Sequence, residues 1–154
     1  MSCTLVLGAD AKRVLETIDP RRCSVVCNAG WREGIASSLR AGMAQHRDDE
    51  ACIFMVADQP YVGPADVNRL IAHHLAERDA IVALQAGTVW GTPVLFPRSD
   101  FPALERLRGD EGAKRLAQSH GSRLRLVAAL SPAVFTDVDT SADYEELLQM
   151  DPRT

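Results

Sequence analysis

Residues 51–57 read ACIFMVA, apolar at every position, and Asp58-Gln59-Pro60 follows them directly. A run of this length is too short for a typical helix and is typical of a strand that is covered on both faces. Such strands belong to sheets that are flanked by helices. The run therefore predicts a β-strand at residues 51–57 of an α/β fold, with Asp58 at its carboxyl end.

On both sides of this run, short apolar segments alternate with helical patterns. Ile35, Leu39 and Met43, for example, recur every four residues, as on one face of a helix. Alternating strands and helices favour right-handed crossovers and a Rossmann-like, mainly parallel sheet with helices on both faces. The predicted strands are 4–8, 23–27, 51–57, 80–84, 93–96, 124–128 and 134–138. The predicted helices are 11–18, 34–46, 64–78, 101–107, 111–120 and 142–149.

The composition indicates one globular domain over residues 1–154. Hydrophobic residues make up 46% and charged residues 25%, which excludes a disordered chain. No apolar run reaches the ~18 residues of a membrane span. The net charge of −4 gives no general attraction to nucleic acid or to anionic membranes. The first ten residues lack the basic start and long apolar core of a signal peptide, so we expect a cytoplasmic protein.

The four cysteines show no metal or redox spacing. Cys3, Cys23, Cys27 and Cys52 form no C-x-x-C pair, and no histidine lies at zinc-finger spacing from them. We expect buried, inert thiols in a reducing cytoplasm, with a disulfide or a redox pair as the alternative.

Acidic residues follow two of the predicted strands. In open α/β sheets, ligands bind beyond the carboxyl ends of the strands, which is where Asp58 and Asp137-Val138-Asp139 lie. A carboxylate held there by a rigid strand is suited to Mg²⁺. The alternatives are helix capping by Asp58 and, at residues 137–141, a capping turn exposed to solvent.

A glycine-containing loop precedes the second predicted helix. Residues 28–38 read NAGWREGIASS, and the N–H groups at such a helix start can hold an anionic or polar ligand. Ser37 and Ser38 are placed to hydrogen-bond a ribose or a base. The alternative is a connecting loop anchored by Trp31. The chain contains neither a G-x-G-x-x-G motif nor a Walker lysine loop, which argues against the usual dinucleotide and P-loop sites.

Two further glycine-containing segments are candidate binding loops. Gly91-Thr92-Pro93 precedes a strand, where a glycine allows close approach of a ligand to the backbone. A hairpin with a packed Trp90 explains the same pattern. The turn at residues 108–112 leads into a helix, with Asp110 as its expected cap.

These segments together resemble the MobA-like nucleotidyltransferase family, and within it the molybdenum cofactor cytidylyltransferase branch. The resemblance covers nearly the whole chain, and Ala57-Asp58-Gln59-Pro60 followed by Arg108-Gly109-Asp110-Glu111-Gly112 is its most specific part. The other matching blocks are Asn28…Trp31…Gly34…Ser37-Ser38-Leu39…Gly42, Gly91-Thr92-Pro93-Val94-Leu95-Phe96 and Asp137-Val138-Asp139-Thr140…Asp143.

The resemblance implies a nucleotide-diphospho-sugar transferase-like fold and Mg²⁺-dependent transfer of CMP from CTP to the phosphate of molybdopterin, with release of pyrophosphate. Two carboxylates would hold Mg²⁺, which neutralises charge on the phosphates and positions the attack. The implied catalytic and metal residues are Asp58 and Asp139. The implied nucleotide-binding residues are Gly34, Ser37, Ser38 and Asp58. The implied acceptor-binding residues are Gly91, Thr92, Pro93 and Asp110.

Two features depart from the family pattern. Thr92 stands where the family has His or Asn, and threonine cannot titrate near neutral pH. The family's opening loop, Leu-Ala-Ala-Gly-x-Ser-x-Arg-Met-Gly with a following lysine, has no counterpart, and Lys12 and Lys114 are the only lysines. These features predict an N-terminally shortened domain. Because an absent central strand exposes backbone groups, a second chain in a homo-oligomer is the alternative.

Three other functions remain open at this point. The chain could be a nucleotidyltransferase that uses GTP or that acts on a sugar or isoprenoid phosphate. It could be a degenerate, non-catalytic relative that binds nucleotide or a partner in metalloenzyme maturation. A receiver-like signalling domain is disfavoured, because the late lysine that it needs is represented only by Lys114, which lies in a predicted helix.

Overall fold

Six β-strands and six α-helices form within residues 2–149, the part of the chain that the computed structural model describes. None of these helices has the length and hydropathy needed to cross a membrane. The strands are β1 (Thr4–Leu7), β2 (Ser24–Cys27), β3 (Ala51–Phe54), β4 (Ile81–Ala86), β5 (Val89–Pro97) and β6 (Leu124–Ala128). The helices are α1 (Ala11–Thr17), α2 (Ile35–Met43), α3 (Pro64–Ala76), α4 (Phe101–Arg106), α5 (Ala113–Ser119) and α6 (Ser141–Gln149).

Contacts within residues 2–149 define two compact units. The first unit comprises residues 2–52 and 96–122, and the second comprises residues 53–95 and 123–149. The first unit contains β1, β2, α1, α2, α4 and α5. The second contains α3, β4, β6, α6 and most of β5.

A parallel β-α-β motif begins the first unit. β1 and β2 pair in parallel over four residue pairs, starting with Thr4 opposite Ser24, and α1 is the crossover. α2 packs on β1, where a Cβ added at Gly42 would lie 3.0 Å from Val6 Cγ2. α4 packs against α2. Because α2 is held by both β1 and α4, the loop that leads into it has a firm anchor at its end.

The second unit is built around β4, whose residues Ile81, Val82, Ala83 and Leu84 are fully buried. The sheet has the order β3-β5-β4-β6, in which β4 pairs antiparallel with β5 and parallel with β6. α3 packs on β4. β4 thus has a neighbouring strand on each edge and a helix on one face, and these contacts bury its apolar stretch from Ile81 to Leu84.

The predicted α/β class is confirmed, with the difference that strand pairing is mixed. β4 and β5 form an antiparallel hairpin because only Gly87 and Thr88 separate them, and a parallel connection needs a crossover of about a dozen residues. Gly87 has φ 59°, a backbone conformation that suits such a tight turn. The helix boundaries agree with the predictions to within three residues.

β3 is shorter and more exposed than the sequence predicts. It ends at Phe54 instead of residue 57, and its four residues are only half-buried. Met55 and Val56, which follow it, are 51% and 36% exposed. The prediction of a strand covered on both faces is therefore wrong. The reason is its place at the end of the sheet order, where one edge has no neighbouring strand within residues 2–149.

The strand predicted at residues 134–138 is also absent. Pro132–Phe135 forms a turn of 3₁₀-helix, in which Ser131 Oγ accepts a hydrogen bond from Ala133 N at 3.2 Å. Proline at the first turn and the serine cap favour this helical turn over an extended strand. Residues 136–139 follow in irregular structure.

All four cysteines carry free thiols, but they are less buried than predicted. Cys3 and Cys27 are exposed, whereas Cys23 and Cys52 are half-buried. Three of these residues flank or end β1 and β2, a sheet of only two strands with little cover. The Cys23 thiol donates to Cys3 Sγ at 3.0 Å, and this contact, followed by burial, raises the pKa of Cys3 to about 11.

Asp66 holds the start of α3 to the segment after β6. Its buried carboxylate accepts from Gly63 N at 3.2 Å and from Leu130 N at 3.1 Å. We expect Asp66→Ala to lower the free energy of unfolding by about 1–3 kcal/mol, because it leaves both N–H groups without an acceptor. Urea denaturation would measure the change. Asp66→Asn keeps one acceptor oxygen and should lose less, and equal stability of Asp66→Ala and the wild type would contradict the assignment.

Candidate functional site

Gln59 links three segments of the second unit through its side-chain amide. Its Nε2 donates to Asp137 Oδ1, and its Oε1 accepts from Thr92 Oγ1, both at 2.9 Å. These residues lie in the loop after β3, in β5 and in the segment after β6. We refer to Gln59, Thr92 and Asp137 as the Gln59 network. One amide thereby ties together strand β5 and two loops, the one after β3 and the one that precedes α6.

Asp58 is held beside this network by its backbone. Val138 N donates to Asp58 O at 2.9 Å, so Asp137 and Asp139 lie on either side of the residue that anchors Asp58. Asp58 and Asp139 are exposed. Within residues 2–149, neither carboxylate accepts a hydrogen bond or pairs with a cation. The segment therefore presents two exposed carboxylates without protein partners, a set of oxygen donors that fits a hard divalent cation.

The chain beside Asp139 is ordered by a helix cap. Asp143 Oδ2 accepts from Asp139 N at 3.0 Å and from Thr140 N at 2.7 Å, while Thr140 Oγ1 accepts from Asp143 N. The hydrogen bonds from Thr140, and then the one from Asp139, hold the pKa of Asp143 below its usual range. The capping turn considered from the sequence is thus present, with Thr140 Oγ1 as one acceptor and the carboxylate of Asp143 as the other.

Gly91-Thr92-Pro93 lies on β5, with Gly91 and Pro93 buried and Thr92 half-buried. The Thr92–Pro93 peptide is cis. A Cβ added at Gly91 would make an ordinary contact with the ring of Phe135, at 3.7 Å. The Thr92 hydroxyl donates to Gln59 Oε1, so Thr92 helps to hold the side chain of Gln59 in place.

Asn28 organises the loop before α2 in the first unit. Its Nδ2 donates to Ser37 Oγ at 2.8 Å and to Ser38 Oγ at 3.1 Å, and its Oδ1 accepts from Gly30 N at 3.0 Å. We refer to Asn28, Ser37 and Ser38 as the Asn28 cluster. Ser37 is only 6% exposed, and its hydroxyl also faces the carbonyl oxygens of Gly30 and Gly34. Ser38 is half-buried and is the serine more accessible to a ligand.

Gly34 brings the loop at residues 108–110 against the Asn28 cluster. It has φ 98°, and a Cβ added there would lie 2.3 Å from the carbonyl of Gly109 and 2.6 Å from Asp110 Oδ1. Ala36 N donates to Gly109 O at 3.0 Å. Asp110, which the resemblance implied for the acceptor, therefore lies in the first unit beside Gly34, whereas the other implied acceptor residues lie in the second unit.

The start of α2 offers fewer free N–H groups than the sequence suggested. Ala36 N donates to Gly109 O, and Ser37 N donates to Gly34 O at 3.1 Å. Both groups are thus used within the protein. Lys12 on α1 and Lys114 on α5 are exposed residues of the first unit.

Sequence reasoning assigned no role to Asn28 or to Gln59, although both stand at the centres of the two hydrogen-bonded groups. Asn28 directly follows β2, and Gln59 follows Asp58 in the loop after β3. A polar residue directly after a strand was the signal that could have identified Asn28, whereas Gln59 lies five residues beyond the end of β3.

Comparison with known proteins decides the family. A model of the MobA-like NTP transferase domain matches residues 2–124. The chain belongs to this family. MobA-like proteins are nucleotidyltransferases, and the match spans both the loop with the Asn28 cluster and the strand that ends before Asp58. The family resemblance found in the sequence is thereby confirmed.

Three relatives illustrate the range of the MobA-like family. Nicotine blue oxidoreductase of Paenarthrobacter nicotinovorans is 27% identical over 150 residues, which cover 94% of this chain and 74% of that protein. The crystal structure of a Rv0371c homologue from Mycobacterium sp. strain JC1 is 31% identical, covers 96% of this chain and 74% of its own, and has a TM-score of 0.79. Rv0371c of Mycobacterium tuberculosis H37Rv, in complex with manganese, is 30% identical, covers 97% of this chain and 78% of its own, and has a TM-score of 0.76.

Proposed function

We propose that this MobA-like protein transfers CMP from CTP to the phosphate of a molybdopterin-type acceptor. An oxygen of the acceptor phosphate forms a bond to the α-phosphorus of CTP. The bond between the α-phosphorus and the bridging oxygen breaks, and pyrophosphate leaves with the electron pair. The observation that carries the proposal is the pair of exposed carboxylates, Asp58 and Asp139, on two segments joined by the backbone hydrogen bond from Val138 to Asp58.

Asp58 and Asp139 are the residues we propose for Mg²⁺. Their donor set, two carboxylates without partners within residues 2–149, fits a cation that prefers oxygen ligands and keeps several water molecules. The manganese complex of Rv0371c supports a divalent metal in the family. When bound, Mg²⁺ supplies charge neutralisation on the phosphates of the nucleotide. The Gln59 network keeps the loops on either side of this site in place.

We assign the nucleotide to the loop before α2. The accessible polar group there is the hydroxyl of Ser38, while Asn28, Ser37 and Gly34 shape the loop from inside. A planar base or a ribose is recognised by such fixed donors and acceptors, because a group that is already held in place loses little entropy on binding.

Asp110, in the first unit, is a separate candidate for acceptor binding. We assign the acceptor to Gly91-Thr92-Pro93 in the second unit. Thr92 acts there through Gln59, since its hydroxyl proton is already donated, and it takes no part as a general base. We further propose that the protein acts in the cytoplasm and that residues 1–154 form one domain. Its proposed ligands are small phosphorylated molecules and not nucleic acid.

The test is pyrophosphate release by the full chain with each nucleoside triphosphate, Mg²⁺ and molybdopterin. We expect release with CTP at least about tenfold faster than with GTP, the difference that about 1.4 kcal/mol of discrimination produces. Faster pyrophosphate release with GTP than with CTP would contradict the proposed preference for cytosine. Binding of CTP without release from any nucleotide would favour a non-catalytic relative, a real alternative because one fold can carry unrelated activities.

A further inference from the structure

His46, Asp49 and Cys52 come together where the chain passes from α2 into β3, in the first unit. A ring nitrogen of His46, a carboxylate oxygen of Asp49 and the Sγ of Cys52 all lie within 4.8 Å of one another. Atoms bonded to one tetrahedral zinc ion at ~2.0–2.3 Å lie roughly 3.3–3.8 Å apart. The three side chains are therefore at most about 1.5 Å from the separations that such an ion requires.

The ring of His46 is held in the orientation that a metal ligand needs. Its Nε2 hydrogen-bonds Thr4 Oγ1 at 2.8 Å, and its Nδ1 contacts Asp49 Oδ2 at 2.7 Å. The ring is largely buried, with 15% of the side chain exposed, whereas Asp49 is 47% exposed. Histidines that bind metals usually direct their second ring nitrogen to a polar partner, as Nε2 does here. Nδ1 is thus the nitrogen that faces the group.

The segment between the three residues is anchored at its backbone. Arg98 N donates to Glu50 O at 2.8 Å, and Arg98 Nη2 donates to Arg47 O at 3.0 Å. Asp49 N donates to His46 O at 3.1 Å, which closes a turn. Such a preorganised loop lowers the entropy lost when a ligand binds.

The donor atoms point to zinc. Nitrogen, sulfur and one carboxylate oxygen form a typical zinc set, whereas Mg²⁺ takes oxygen ligands. Burial, followed by the charge of Asp49, raises the pKa of Cys52 to about 11. The metal-free protein therefore carries a neutral thiol at pH 7, and a bound metal must displace its proton.

We propose that His46 Nδ1, the carboxylate of Asp49 and the Sγ of Cys52 bind one zinc ion, with water as the fourth ligand. Thr4 orients the histidine. The site uses none of the residues assigned to nucleotidyl transfer, so zinc binding can be tested independently of that activity.

The test is metal binding by the reduced, metal-free full chain, with Co²⁺ as the optical probe and Zn²⁺ as its competitor. We expect one equivalent of Co²⁺ with thiolate-to-cobalt charge-transfer absorption, which Zn²⁺ abolishes. Cys52→Ser should lose this absorption, and Asp49→Asn should weaken binding at least about tenfold. Cys27→Ser, which removes an exposed thiol of β2, is the matched control and should bind as the wild type does.

Three results would overturn the proposal. One is charge-transfer absorption that persists in Cys52→Ser, because the thiolate would then belong to another residue, such as Cys3 or Cys23. Another is wild-type affinity for Co²⁺ in Asp49→Asn. Because the side chain of Asp49 is half-exposed, this variant should fold even if Cys52→Ser does not, and it then provides the test. The third is failure of the folded wild type to bind Co²⁺ or Zn²⁺.

Discussion

Asp58→Asn is expected to slow pyrophosphate release by roughly 10²–10³-fold at saturating CTP, Mg²⁺ and acceptor. Asparagine has nearly the same shape as aspartate but no negative charge, and a metal held by a carboxylate contributes several kcal/mol of charge stabilisation in the transition state. Asp58 is exposed, and its side chain makes no hydrogen bond within residues 2–149. Stability should therefore stay within about 0.5 kcal/mol of the wild type, so that the loss is catalytic.

Two further variants separate the metal site from surface charge in general. Asp139→Asn should lower the same rate, because it removes the second proposed ligand. Asp19→Asn removes another exposed carboxylate, one that pairs with the exposed Arg21, and should leave the rate unchanged. Equal rates for Asp58→Asn and the wild type would remove Asp58 from catalysis, and with it the proposed Mg²⁺ site.

Gly34→Ala should lower the free energy of unfolding by about 2–4 kcal/mol. Gly34 combines φ 98° and ψ 174°, a conformation essentially restricted to glycine, with a position where an added Cβ lies 2.3 Å from the Gly109 carbonyl. The backbone must shift to accept the methyl group, and the Ala36–Gly109 hydrogen bond shifts with it. In a thermal melt we expect the midpoint to fall by about 5–15 °C.

Two other glycines supply matched controls for this change. Gly87 has φ 59° with nothing near its Cβ position, so Gly87→Ala reports backbone strain alone, about 1–2 kcal/mol. Gly121 has open space and no positive φ, so Gly121→Ala should change stability by less than about 0.5 kcal/mol. If Gly34→Ala lost no more stability than Gly87→Ala, the close approach of Gly34 to Gly109 would be contradicted.

The candidate site could be predicted from the sequence only where the signal is local. Asp58 stands out because a charged residue follows an apolar strand, and Gly34 because a glycine precedes a helical pattern. The Gln59–Asp137 hydrogen bond joins residues 78 positions apart, and the Gln59–Thr92 bond joins residues 33 positions apart. Neither pairing leaves a trace in the residues nearby, since hydroxyl, amide and carboxylate groups are common in loops.

The order of strands and helices and the α/β class follow from the sequence alone, because periodicity and turn residues act over a few neighbouring positions. Three features do not follow from the sequence alone: the exposure of β3, the antiparallel pairing of β5, and the proximity of His46, Asp49 and Cys52. The apolar run at residues 51–57 suits an edge strand as well as a central one. Its neighbours are set by which strands pair across the whole chain, and that choice depends on tertiary packing and not on local propensity.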